Sequence, residues 1–187
     1  MQVTKVTMPI YAVATIPLIK QTKNNAKQVW YADDAAAMGK ITDLRKWWES
    51  MCSLGPSYGY FPKATKTWLI TKDNTISSAV KAFENTGVRM TSEGRPYLGS
   101  PIGTLDYVKS FTESKVQEWQ EEIKLLATFG LTQPHAVHSA YTHGIVSKWS
   151  YLCQTTPNIE QLLLPLENSI RSTFILYSCH HKSATSK

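Results

Sequence analysis

The chain changes character at about residue 104, and that change limits the folds open to it. Beyond it, "TLDYVKSFTESKVQEWQEEIKLLATFG" sets Val116, Trp119, Ile123 and Leu126 on one helical face with charges opposite. "QPHAVHSAYTHGIVSKWSYLCQ" is a second helix candidate after Pro134, and "NIEQLLLPLENSIRSTFILY" is a third, expected to break near Pro165 because proline lacks the N–H a helix interior needs. Before residue 104 the apolar runs are short and divided by turn residues. The expectation is an α+β chain: a small antiparallel sheet packed by helices over residues 1–103, a helical region over 104–180, and a polar tail over 181–187. No internal repeat or low-complexity tract interrupts this plan.

Within the first part, "MPIYAVATIPLI", Met8 to Ile19, predicts an apolar helix buried in the domain. Residues 28–32 and 35–38 alternate as two short strands joined by two aspartates, a hairpin. "ITDLRKWWESMCSLG" spaces Ile41, Leu44, Trp47, Trp48, Met51 and Leu54 as a helix, with Thr42 or Asp43 to cap it and Gly55-Pro56 to stop it. Trp47 and Trp48 are adjacent, so one is expected in the core and the other partly exposed. Thr67 to Thr71 reads as a strand. Asp73 can cap a helix to about Asn85, with Gly87 ending it. "VRMTSEG" and "RPYLGSPIG" read as two strands around a Gly94-Arg95 turn.

Composition is that of a folded chain, 42% hydrophobic and 18% charged, which excludes a disordered segment. The net charge of +6 is compatible with a polyanionic partner. Three widely spaced cysteines, Cys52, Cys153 and Cys179, form no zinc spacing and suit a reducing compartment. The apolar run at Met8–Ile19 contains two prolines and is too short for a bilayer, which takes about 20 apolar residues. The expected location is intracellular, nuclear or cytoplasmic, neither secreted nor in a membrane.

The chemistry concentrates at Asp33 and Asp34. Adjacent carboxylates repel, and a hard divalent cation such as Mg²⁺ offsets that repulsion by taking their oxygens as ligands. A strand–turn–strand with paired acids at its tip is one way to present metal ligands for nucleotidyl transfer. The alternative is a solvated turn, where aspartate is common.

"VWYADDAAA" resembles the Y-x-D-D box of reverse transcriptases. The segments around it keep the family's order. "MPIYAVATIPLIK" resembles the helix after the template-contacting motif. "GYFPKATKTWLIT" resembles the turn, lysine-threonine pair and strand after the box, and "RPYLGSPIG" the hairpin near the primer grip. The resemblance covers residues 8–103 and extends loosely over the helical remainder, in the manner of retrotransposon enzymes. It implies a partial polymerase palm followed by a thumb-like region. It implies RNA-directed DNA polymerase chemistry with two Mg²⁺ (or Mn²⁺) ions, on an RNA template, a DNA primer and deoxynucleoside triphosphates. Asp33 and Asp34 would be the metal ligands, and Lys66 the cation beside the phosphates that can protonate pyrophosphate. Tyr31 would lie near the nascent pair, and Tyr97, Leu98 and Gly99 at the primer grip.

The departures are as specific as the matches. The family's first catalytic aspartate stands on an earlier strand, and none of the 30 residues before Tyr31 is Asp or Glu. The basic residues that meet the triphosphate are also missing, and "QVTKVT" stands where a Gln-Gly-Asp-Pro-like turn is expected. The chain is therefore expected to begin inside the palm and to be inactive by itself, with a non-catalytic nucleic-acid-binding or assembly module as the alternative. His135, His138 and His143 read as helix-face histidines rather than a zinc site, and "CHHK", Cys179 to Lys182, as a tail. Trp119 and Trp149 read as core. Lys109, Lys115, Lys124, Lys148 and Arg171 are candidates for following a phosphate backbone.

Overall fold

The computed structural model describes residues 7–130 and 132–175; for Thr7, Met8, Phe174 and Ile175 it describes the backbone alone. The polar tail and the Cys179–Lys182 tract lie outside the described residues. The fold is α+β, with small two-stranded sheets packed by helices. It divides into two compact units, residues 1–92 and residues 93–187. The change of composition at residue 104 thus falls eleven residues beyond the unit boundary, because the hairpin before it packs with the helices after it.

The first unit begins with α1, Thr7–Gln21. Thr15, Leu18 and Thr22 form its buried side, while Ile10, Val13 and Ile16 are 63%, 67% and 43% exposed. The helix expected to be buried is therefore covered on one side only. Pro17 does not break it: the carbonyl that Pro17 leaves without a donor belongs to exposed Val13 and can meet water.

β1 (Lys27–Tyr31) and β2 (Asp34–Met38) pair antiparallel, from Lys27 opposite Met38 to Tyr31 opposite Asp34. The turn is Ala32-Asp33 rather than the two aspartates, since Asp34 is already in β2. Two-residue hairpin turns need a positive φ, and Ala32 supplies it at +53° with a Cβ in place. Such a conformation costs about 1 kcal/mol relative to glycine.

Gln28 holds the hairpin to its neighbours. Its Oε1 accepts from the indoles of Trp30 (3.1 Å) and Trp47 (3.0 Å) and from the Thr22 hydroxyl (3.3 Å). Its Nε2 donates to the Ile19 carbonyl at 2.9 Å. One amide so joins α1, β1 and α2 (Ile41–Leu54). Both α2 tryptophans are buried at 8% exposure, contrary to the expected division between core and surface. The reason is that α2 has partners on two sides: Trp47 meets Gln28, and Trp48 packs with Phe83 and Val88. Neither Thr42 nor Asp43 caps α2; Lys40 occupies the N-cap without a side-chain bond.

The unit closes with β3 (Trp68–Ile70), α3 (Ile76–Ala82) and β4 (Arg89–Thr91). β4 pairs parallel with β3, so "VRMT" returns to "TWLIT" instead of forming a hairpin with "RPYL". The helix expected from Asp73 to Asn85 is a 3₁₀ turn, Asp73–Thr75, followed by the shorter α3. Arg45 on α2 fastens the end of α3, donating to the Ala82 and Glu84 carbonyls at 2.9 and 3.3 Å.

In the second unit β5 (Gly94–Tyr97) and β6 (Ser100–Gly103) form an antiparallel hairpin. Its turn is Leu98-Gly99, not Gly94-Arg95, and both turn residues have positive φ, +49° and +84°. α4 (Leu105–Gly130) follows as expected. Its buried Val116, Trp119 and Ile123 pack with Val137 of α5 (Pro134–Ser139), Leu152 of α6 (Val146–Thr155), Ile159, and Leu166 of α7 (Glu160–Ser169). A π-helical turn, Ala140–Ile145, joins α5 to α6. Trp149 meets Trp119 edge-on at 6.2 Å, so both belong with the core as expected. α7 runs through Pro165 unbroken, because both Pro165 and Gln161, whose carbonyl it leaves free, are exposed.

Candidate functional site

The β1–β2 hairpin carries Asp33 and Asp34 at its closed end, both exposed. Tyr31 stands directly across from Asp34 and is 61% exposed. The alternation of β1 explains this: Gln28 and Trp30 point inward, which leaves Lys27, Val29 and Tyr31 on the open face. Neither aspartate forms an ion pair among the described residues.

Tyr11 of α1 is a neighbour that the sequence reading did not find. Burial raises its phenol pKa above the ordinary value, and the Asp33 carboxylate raises it further by disfavouring a second negative charge. The two are far apart in sequence, so this influence depends on the fold.

As a metal site the pair is incomplete. Among the described residues no group of three His, Cys, Asp or Glu side chains is placed to hold an ion. Two adjacent carboxylates suit Mg²⁺ or Mn²⁺ only where phosphates and water supply the remaining oxygens. Lys66 is exposed in a 3₁₀ turn, Ala64–Lys66, and forms no ion pair with Asp33 or Asp34.

Tyr97, Leu98 and Gly99 belong to the second unit. Tyr97 ends β5, partly buried. The Leu98 carbonyl accepts the Tyr151 hydroxyl of α6, and a Cβ on Gly99 would lie 3.4 Å from that ring. This turn therefore borders an open cavity of about 310 Å³, walled by Phe111, Trp119 and Tyr151 with Lys115 and Lys148 at its side. Tyr151 is another residue whose part is visible only in the folded chain.

Charge is divided sharply. Residues 1–92 contain 12 Lys+Arg and 6 Asp+Glu, while residues 93–187 contain 8 of each, so the whole surplus of +6 lies in the first unit. Lys109, Lys115, Lys124, Lys148 and Arg171 each pair with a glutamate, at 4.0, 2.6, 3.3, 2.6 and 2.6 Å. The five cations that are candidates for a phosphate backbone thus each have an exposed glutamate beside them, a weak and screened pairing. None of the described lysines of the first unit is in an ion pair.

His135, His138 and His143 are exposed and form no metal cluster among the described residues. Cys52 and Cys153 are free thiols, and burial pushes both pKa values up, away from the reactive thiolate. No described helix is long and apolar enough to cross a membrane. Compared with known proteins, the chain matches no family model, no curated protein and no solved structure.

Proposed function

We propose that the chain is a reverse transcriptase segment of a retroelement, a partial palm with a thumb-like helical region. The observation that carries this reading is the hairpin, with Asp33 and Asp34 at its closed end and Tyr31 paired across from Asp34. In nucleotidyl transfer such carboxylates hold divalent cations that bridge the triphosphate and the attacking hydroxyl. Lys66 would stabilise the pyrophosphate anion, and Tyr97, Leu98 and Gly99 would steady the primer. With two carboxylates and no third ligand grouped with them among the described residues, the chain alone is expected to hold Mg²⁺ or Mn²⁺ weakly and in no productive geometry. Primer extension on an RNA template with either ion should give no product from this chain; robust template-dependent synthesis refutes the incomplete-site argument. Mn²⁺ titration followed by electron spin resonance should show weak binding that Asp33→Asn and Asp34→Asn abolish. Binding unaffected by both substitutions refutes the metal role.

A second reading, a nucleic-acid-binding module without catalysis, is favoured by one observation: the unpaired lysines and the whole charge surplus of the first unit. Hybrid-duplex binding that survives both aspartate substitutions and ignores Mn²⁺ would select it.

A further inference from the structure

The lysines of the first unit are not evenly spread. Lys20 lies in the last turn of α1, and the Lys23 N–H donates to its carbonyl, so the two are one turn apart. Asn24 then tightens the following loop. Its Oδ1 accepts the Ala26 N–H at 2.7 Å, and its Nδ2 donates to the Asp43 carbonyl of α2 at 2.8 Å. That loop delivers Lys27 to the start of β1, opposite Met38. A Cβ on Gly39 would lie 3.1 Å from the Ala26 Cα, so the chain leaving β2 passes directly beside the chain entering β1, and Lys40 follows at the same end of the hairpin as Lys27. Four exposed lysines, in α1, the loop after it, the start of β1 and the N-cap of α2, therefore lie around the open end of the hairpin, and none is in an ion pair among the described residues. The acid nearest to them in sequence is Asp43 of α2, a single carboxylate among four cations.

The acidic tip does not neutralise this end. Lys27 and Tyr31 are four residues apart in an extended strand, a separation of about 13 Å. That exceeds the screening length of about 8 Å at physiological salt. Like charges placed at one end of a hairpin without paired acids repel one another, and an anionic partner relieves the repulsion. The second unit shows the contrast, since there each of five cations has a glutamate placed for it.

We infer that the open end of the β1–β2 hairpin, with Lys20, Lys23, Lys27 and Lys40, is a docking surface for a nucleic-acid phosphate backbone. The inference rests on the reading of the chain as nucleic-acid binding and places the contact at the end of the hairpin away from the carboxylates. A repeating row of phosphates matches a row of lysines without base recognition, and each contact releases counterions.

The test is fluorescence anisotropy of the full chain with a labelled RNA–DNA hybrid across a range of salt. Lys23→Gln, Lys27→Gln and Lys40→Gln combined should lower the log–log salt slope by roughly 0.9 per lysine. Lys109→Gln with Lys124→Gln should leave it unchanged. All five side chains are exposed, and circular dichroism checks that the fold is kept. An unchanged slope in the basal triple variant overturns the placement while leaving nucleic-acid binding intact. A wild-type chain that does not bind the hybrid, or binds only phosphatidylserine vesicles, overturns the placement and the nucleic-acid reading together.

Discussion

The two units differ in how they place their charges. Residues 93–187 surround one cluster of seven buried side chains and pair their surface cations with glutamates. Residues 7–92 hold a smaller cluster built around Trp48, Phe83 and Val88, with Leu18, Trp47 and Met51 buried outside it. They leave Ile10, Val13, Val29 and Met38 open and their lysines unpaired. A helical unit satisfies its charges locally because residues three and four apart are neighbours on one helix. The first unit has one such pair, Arg45 with Glu49, and its lysines on helices and loops alike have no acid placed for them among the described residues.

The largest expected effect breaks the second unit. Ile123 is fully buried at the centre of its core, and Ile123→Ala should cost about 3–4 kcal/mol. Urea unfolding followed by near-ultraviolet circular dichroism should show it through the Trp119 and Trp149 signals. If the cost is below about 1 kcal/mol, the second unit is not the well-packed one.

Next in size is Gln28→Leu in the first unit. It leaves two indole N–H groups, the Thr22 hydroxyl and the Ile19 carbonyl without this partner, at a cost of about 2–3 kcal/mol. Hydrogen exchange should report faster opening of the first unit and no change in α4. An equal change in both units would remove the distinction between them.

A smaller effect, of opposite sign, is expected at Ala32. Ala32→Gly relieves the positive φ and should stabilise the hairpin by up to about 1 kcal/mol, measured by thermal denaturation. Destabilisation would show that the turn is not strained.

The smallest effect is a titration. Tyr11 holds its proton more tightly when folded, so its contribution to stability is complete below the ordinary tyrosine pKa and is lost as pH rises through the raised folded value. Asp33→Asn should move the Tyr11 transition back toward the ordinary value, followed by phenolate absorbance. No movement would separate Tyr11 from the hairpin tip.

Helix positions were largely legible in the sequence because a period of 3.6 needs only local residues. α2 and α4 follow their apolar spacing closely, and α1 forms where the apolar run stands. Strand partners were not legible, because pairing is a non-local choice. "VRMT" had two possible partners and took the distant one, β3, in parallel. The proline in α7 misled for a similar reason: whether Pro165 breaks a helix depends on whether the freed carbonyl reaches water, which only packing decides.

By itself, the sequence determined the α+β class, the helix spacing and the hairpin that carries Asp33 and Asp34 at its closed end, since these follow from neighbours along the chain. The tertiary structure alone decided that Gln28 ties three elements together, that the Asp33 charge acts on Tyr11, and that the chain at Gly39 passes beside Ala26. It also decided which lysines are paired and which are free. A charge finds its partner in space, and residues far apart in sequence become neighbours only once the chain has folded.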